Sequence, residues 1–147
     1  MTRPTCEQFA AAAAALEGVR YRPRGRSAET GLDCAGIVHA PAAAIGITGL
    51  PDRHDYDPLM PDPEMLLHLC REGMDEQDHS DMGTGRVGLC RWESQPDPRH
   101  LVVMLPRHEI VHVDAIYRRV TRVPASWLDS KLMAVFRLRG VDYGEPW

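Results

Sequence analysis

At 147 residues, 44% hydrophobic and 26% charged, the chain is long enough to bury a core and is expected to form one domain, residues 1–147. A net charge of −4 gives no basic footprint for nucleic acid and no attraction to anionic lipid. No apolar run approaches the ~20 residues that cross a bilayer as a helix, so no membrane insertion is expected.

The first predicted element is a helix over residues 5–17, opened by Thr5 and closed by Gly18. Its alanine-rich run resembles a signal peptide in outline, but Glu7 and Gln8 interrupt it, and Thr5 and Gln8 stand at capping-box spacing. With no signal peptide expected, the four cysteines are expected to stay reduced. Residues 21–30 form a basic, glycine-bearing loop with Arg20, Arg22, Arg24 and Arg26, read either as a solvated surface or as a rim for an acidic substrate. A second helix is predicted after Asp33 as N-cap, with Pro41 expected to kink or stop it. Residues 50–63 read as an irregular excursion. Asp62 and Pro63 then open a short helix over 64–71 with Met65, Leu66 and Leu69 as its buried side. Residues 72–86 read as loop, and the remainder as strands over 87–92, 100–105, 109–113, 117–123 and 133–138. Pro106-Arg107-His108 makes a turn, and residues 125–130 a helical turn. Helices first and an antiparallel sheet afterwards predict an α+β fold, N-terminal helices packed on a central antiparallel β-sheet.

The chemistry gathers around Gly31-Leu32-Asp33-Cys34-Ala35-Gly36-Ile37-Val38. A cysteine at a helix start meets unpaired N–H groups and the positive end of the helix dipole, which favour a thiolate. Nucleophilic cysteine needs a base, and the base an orienting group. His100 and His112 lie on two adjacent predicted strands, where alternation sets His100 with Val102 and Met104, and His112 with Ile110 and Asp114. The Cys34 backbone N–H is a candidate oxyanion donor. Taken singly, a cysteine at a helix start is commonly a small buried hydrophobe; the ordered set Cys34, His100, His112 is what points to catalysis.

That set, in its frame, resembles the nucleophile and histidine segments of the NlpC-type cell-wall peptidases. Tyr21 and Gly25 precede the Asp33-Cys34 motif, His100-Leu101-Val102-Val103 opens a strand, and Val111-His112-Val113-Asp114-Ala115 follows. Val120, Trp127-Leu128 and the apolar residues 133–138 complete a likeness that spans roughly residues 7–140. Asp55-Tyr56 and Leu66-Leu67 match the short members found in phage and gene-transfer-agent tail modules. The resemblance implies a papain-like fold with Cys34 as nucleophile, His100 as base and His112 orienting it. Tyr21, Asp33 and Ala35 would lie against substrate, with Asp33 also capping the helix. It implies hydrolysis of peptidoglycan stem peptides at the D-γ-glutamyl–diamino acid bond, with no metal and no cofactor. It also implies a place in a phage-like tail particle made in the host cytoplasm, beside tail hub or tip proteins. The alternatives are a tail-assembly or plug protein of the same fold with little or no catalysis, and an acyltransferase or amidase on another substrate. The chain departs from the family pattern in four places: Ala35 replaces a serine, Pro41 interrupts the helix, Gly85-Arg86 replaces Gly-Asp, and the loop after Tyr21 lacks a double glycine.

His108-Glu109-Ile110-Val111-His112 spells the zinc-peptidase H-E-x-x-H, but that motif works on a helix. The β-branched context here predicts a strand, which sets the two histidines about 12 Å or more apart. Trp92, Trp127 and Trp147 are read as core or interface. His39, His54, His68 and His79 have no partner spacing, and Cys70 and Cys90 read as buried thiols.

Overall fold

The computed structural model describes residues 2–53, 62–114 and 116–144. Asp55, Tyr56, His54 and Trp147, singled out above, lie outside the described residues. Three helices, α1 (Cys6–Ala14), α2 (Gly36–Ala44) and α3 (Pro63–Gly73), precede or flank a six-stranded sheet. A two-residue hairpin, β1 (Arg26–Ser27) and β2 (Gly31–Leu32), leads into α2. The sheet contains β3 (Met74–Gln77), β4 (Val87–Cys90), β5 (His100–Leu105), β6 (Glu109–Asp114), β7 (Arg119–Pro124) and β8 (Leu132–Leu138). It runs in the order β3-β8-β4-β5-β6-β7, antiparallel at every step. The expected α+β architecture is the one observed.

The capping box closes as the sequence predicts. Thr5 Oγ1 accepts from the Gln8 amide at 3.1 Å, and Gln8 Oε1 accepts from the Thr5 amide at 2.8 Å. One face of α1 buries Phe9, Ala10 and Ala13 completely against the sheet. The α1 and α2 residues share their core with Leu101, Val103, Leu105, Val111 and Val113, one alternating face of β5 and β6. The other face, with Val102, Met104 and Ile110, packs under a 3-10 turn over Ala125–Leu128. Both faces of β5 are therefore covered, and all six of its residues are buried.

Three expectations need correction. Pro41 does not stop α2, which runs three residues further. The ring removes one backbone donor, but it is buried in the core and its carbonyl still accepts from the Ile45 amide at 3.3 Å. Residues 74–77, read as loop, form the edge strand β3 against β8. A polar strand paired on one side has no apolar alternation to announce it. Met65, Leu66 and Leu69 of α3 are half-buried rather than core, because they wall a cavity.

Candidate active site

α2 begins at Gly36 with Ala35 as N-cap, two residues later than expected, and Asp33 supports it from the preceding turn. Its Oδ1 accepts from the Ala35 and Gly36 amides at 3.1 and 2.9 Å, and its backbone carbonyl accepts from Ile37 at 3.2 Å. The same carboxylate receives Arg26 Nη1 at 2.8 Å, and its other oxygen receives the Arg24 amide at 3.1 Å. Arg26 reaches on to Asp52 at 2.8 Å. This loop can press onto the helix because residue 36 is glycine: a Cβ there would lie 2.2 Å from the Gly25 carbonyl oxygen. Cys34 is thus held on a turn locked from both sides.

The thiol reaches β5. Cys34 Sγ lies 3.9 Å from the carbonyl oxygen of Arg99, the residue before His100. The ladder between β5 and β6 is registered only from Val103↔Val111 to Leu105↔Glu109. Beyond it, where His100 and His112 stand, the strands are joined by side chains: His100 Nε2 lies 2.8 Å from His112 Nδ1. Both rings are buried, and tryptophans wall them in. Trp92 stacks on His100 with centroids 4.4 Å apart and planes 30° apart. Trp127 lies 4.4 Å from the His112 ring and 5.9 Å from that of His100.

The electrostatics describe a neutral resting site. Burial, and then the Asp33 carboxylate, push the Cys34 thiol up to about 12; Arg26 and the Leu101 amide act the other way without prevailing. The expected thiolate is therefore not the ground state. Burial, and then the neighbouring His112, hold His100 well below the usual histidine range. Burial takes His112 down to about 4, with Asp114 opposing and Lys131 assisting. Among the described residues no hydrogen bond joins Cys34 to either histidine; the thiol rests on the Arg99 carbonyl instead. The Cys34 amide donates to no other described residue, so it remains free to meet an oxyanion.

The hydrogen bond between the histidines couples their tautomers. For His100 Nδ1 to accept a proton, Nε2 must carry one and donate it to His112 Nδ1. His112 then holds its own proton on Nε2, a buried atom with no hydrogen-bond partner among the described residues. His112 can therefore orient and polarise His100 without becoming the base.

A cavity of about 530 Å³ opens over this constellation. Tyr21, Asp33, Cys34, Ala35 and His100 line it, with the apolar side of α3 opposite. The structure thus brings together five of the six residues singled out from sequence at one cavity, and the sixth, His112, lies behind His100. Tyr21 is close enough that the Asp33 and Cys34 charges add to burial in raising its hydroxyl. His108 sits in the β5–β6 turn with φ +57°, and His112 lies on a strand, so the H-E-x-x-H segment is not helical.

No protein-family profile matches the chain, and no curated protein matches it. Solved structures do. The NlpC/p60 domain of the peptidoglycan hydrolase SagA superposes with a TM-score of 0.66 at 12% identity, over 91% of this chain and 99% of that one. The fold is that of the NlpC/p60 domain. An NlpC/p60 family protein from Bacillus cereus gives 0.68 at 19% identity, over 92% of this chain and 41% of its own. The peptidoglycan hydrolase RipB from Mycobacterium tuberculosis gives 0.63 at 16%, over 94% and 65%.

Within this NlpC/p60 fold, several residues of the cavity escape the sequence, Arg26, His39 and Trp92 among them. Arg26 was one cation in a basic run, and only its pairing with Asp33 separates it from solvated neighbours. His39 lines the cavity 3.8 Å from Asp52, one turn along α2 from the thiol. Trp92 was read as core or interface, yet it lines the cavity over His100. An aromatic just past the end of a strand is the weak signal that could have found it.

Proposed function

We propose that this protein is a cysteine peptidase that hydrolyses peptidoglycan stem peptides, at the D-γ-glutamyl–diamino acid bond. The observation that carries this reading is a thiol that lines one cavity with His100, whose buried ring is joined to His112 at 2.8 Å. Two of the structurally similar proteins are named as peptidoglycan hydrolases. His100 would take the Cys34 proton as the thiol attacks the scissile carbonyl. The Cys34 amide would receive the developing oxyanion. The resulting imidazolium would protonate the leaving amine, and water activated by His100 would then release the acyl group. His112 would hold the ring in the productive tautomer. Its placement in a phage-like tail tip, beside hub proteins, rests on the sequence resemblance.

Digestion of purified peptidoglycan, read by mass spectrometry beside Cys34→Ala, tests the reading. New stem-peptide fragments from the wild type alone are expected. A second reading, a tail-assembly or plug protein with little catalysis, is favoured by one observation: the thiol is pushed up to about 12 and rests on Arg99 rather than on His100. Tight binding of a tail hub protein by Cys34→Ala, with no fragments from either form, would select it.

A further inference from the structure

The protein carries a net charge of −4, yet its cavity is lined by four arginines, Arg26, Arg53, Arg99 and Arg118, against two aspartates, Asp33 and Asp114. Both aspartates are engaged. Asp33 holds Arg26 and the α2 amides. Asp114 Oδ1 accepts from the Ile116 and Tyr117 amides at 2.8 and 2.9 Å. Arg26 is held further by Asp52 at 2.8 Å, and Arg99 by Asp97 at 3.1 Å.

Arg26 and Arg99 are half-buried and ion-paired; Arg118 is neither. It is exposed at the rim, and among the described residues no carboxylate pairs with it. Its guanidinium rests over the Tyr21 ring, 5.2 Å from the centroid. Its backbone is fixed on both sides: the amide donates to the Asp114 carbonyl at 2.8 Å, and the carbonyl accepts from the Tyr21 amide at 2.8 Å. The residue holds φ +56°, a left-handed conformation that arginine rarely adopts. Its backbone is thus pinned to Tyr21, which lines the same cavity as Cys34.

We propose that Arg118 is a specificity residue that reads a carboxylate of the substrate beside the scissile amide. The ligand class is an acidic peptide. Resting on the peptidase reading, the group in question is the free α-carboxylate that a γ-linked glutamyl residue keeps on the acyl side of the bond. A planar guanidinium stacked on an aromatic ring is suited to receive a carboxylate through paired N–H donors. The carboxamide form of the same peptide offers no charge to it.

Alkylation of Cys34 by iodoacetate and by iodoacetamide, followed by peptide mapping, tests the anion site without any peptide substrate. The wild-type ratio of the two rates is expected to exceed that of glutathione several-fold. Arg118→Gln should lower it to near the glutathione ratio, with the iodoacetamide rate of the same variant as the internal reference, and Arg118→Lys should keep part of the preference. A wild-type ratio no higher than glutathione's, or one that Arg118→Gln leaves intact, overturns the proposal. Cleavage of a γ-glutamyl peptide as its carboxylate and its carboxamide extends the test. Arg118→Gln should cut kcat/KM for the carboxylate by about 10- to 100-fold relative to that for the carboxamide. Anion preference at Cys34 with no peptide cleavage would sustain the anion site and count against the stem-peptide reading alone.

Discussion

His112 carries the sharpest conflict at the scale of single residues. If His100 is the base, His112 must bury an N–H on Nε2 that nothing among the described residues receives. A native protein tolerates such an atom where the ring's other nitrogen does something that matters. Replacing the ring by leucine would remove the orphan but strand the His100 Nε2 proton instead. His112→Leu is therefore expected to destabilise the fold by about 1–3 kcal/mol and to lower turnover on the order of 100-fold. His112→Asn, which can still present an oxygen to His100, should keep more of both; thermal unfolding and steady-state kinetics on a stem peptide would check this. The thiol gives a second expectation. Because Cys34 is pushed up to about 12, its reaction with iodoacetamide should be slow at pH 7 and accelerate steadily above pH 9. A rate already level between pH 5 and 8 would reveal a thiolate–imidazolium pair and contradict the neutral resting site.

At the scale of elements, the start of α2 is the piece on which the nucleophile depends. The Asp33–Arg26 pair is largely enclosed, with side chains 7% and 15% exposed. Breaking such a pair from one side leaves a charge without its partner, which costs about 3–5 kcal/mol when fully buried and less here, where Arg26 also reaches Asp52. Asp33→Ala should therefore lower the melting temperature by more than Thr5→Ala, which removes one cap worth about 1 kcal/mol. It should also speed Cys34 alkylation, because the carboxylate is one of the causes that hold the thiol up. Equal effects of the two substitutions would show that the pair does not organise the turn. Much of this element was legible in the sequence: Asp-Cys followed by a small-residue run signals a capped helix. Arg26 was not, because a cation's partner across a hairpin is a tertiary fact. Nor was β3, whose Asp75 and Glu76 face solvent on an edge strand.

For the molecule as a whole, the two buried histidines link stability to pH. Both have folded-state values below the ordinary 6.5. The unfolded chain then binds more protons than the folded one as pH falls below about 6.5, so their stabilising contribution is present above that value and is lost on acidification. For His112, which goes down to about 4, the loss between pH 6.5 and 4 is on the order of 3 kcal/mol. Denaturant titrations at pH 7 and pH 4.5 should show the drop, and His112→Asn should flatten it. At this scale the sequence reads well. The order of helices, strands and turns follows from caps, alternation and one Pro-Arg-His turn, and alternation sets the two histidines on adjacent strands; their pairing, beyond the registered ladder, is a side-chain contact. The cavity does not follow, because it is built from α3 residues, Trp92 and arginines whose convergence depends on how the layers pack.

The measurement that bears most directly on the proposed chemistry is hydrolysis of one stem peptide by the wild type, Cys34→Ala, His100→Ala and the double variant. A catalytic unit predicts that each single substitution removes nearly all turnover and that the double is no worse than either. Turnover that survives in His100→Ala would contradict His100 as the base, and turnover that survives in Cys34→Ala would contradict cysteine catalysis itself.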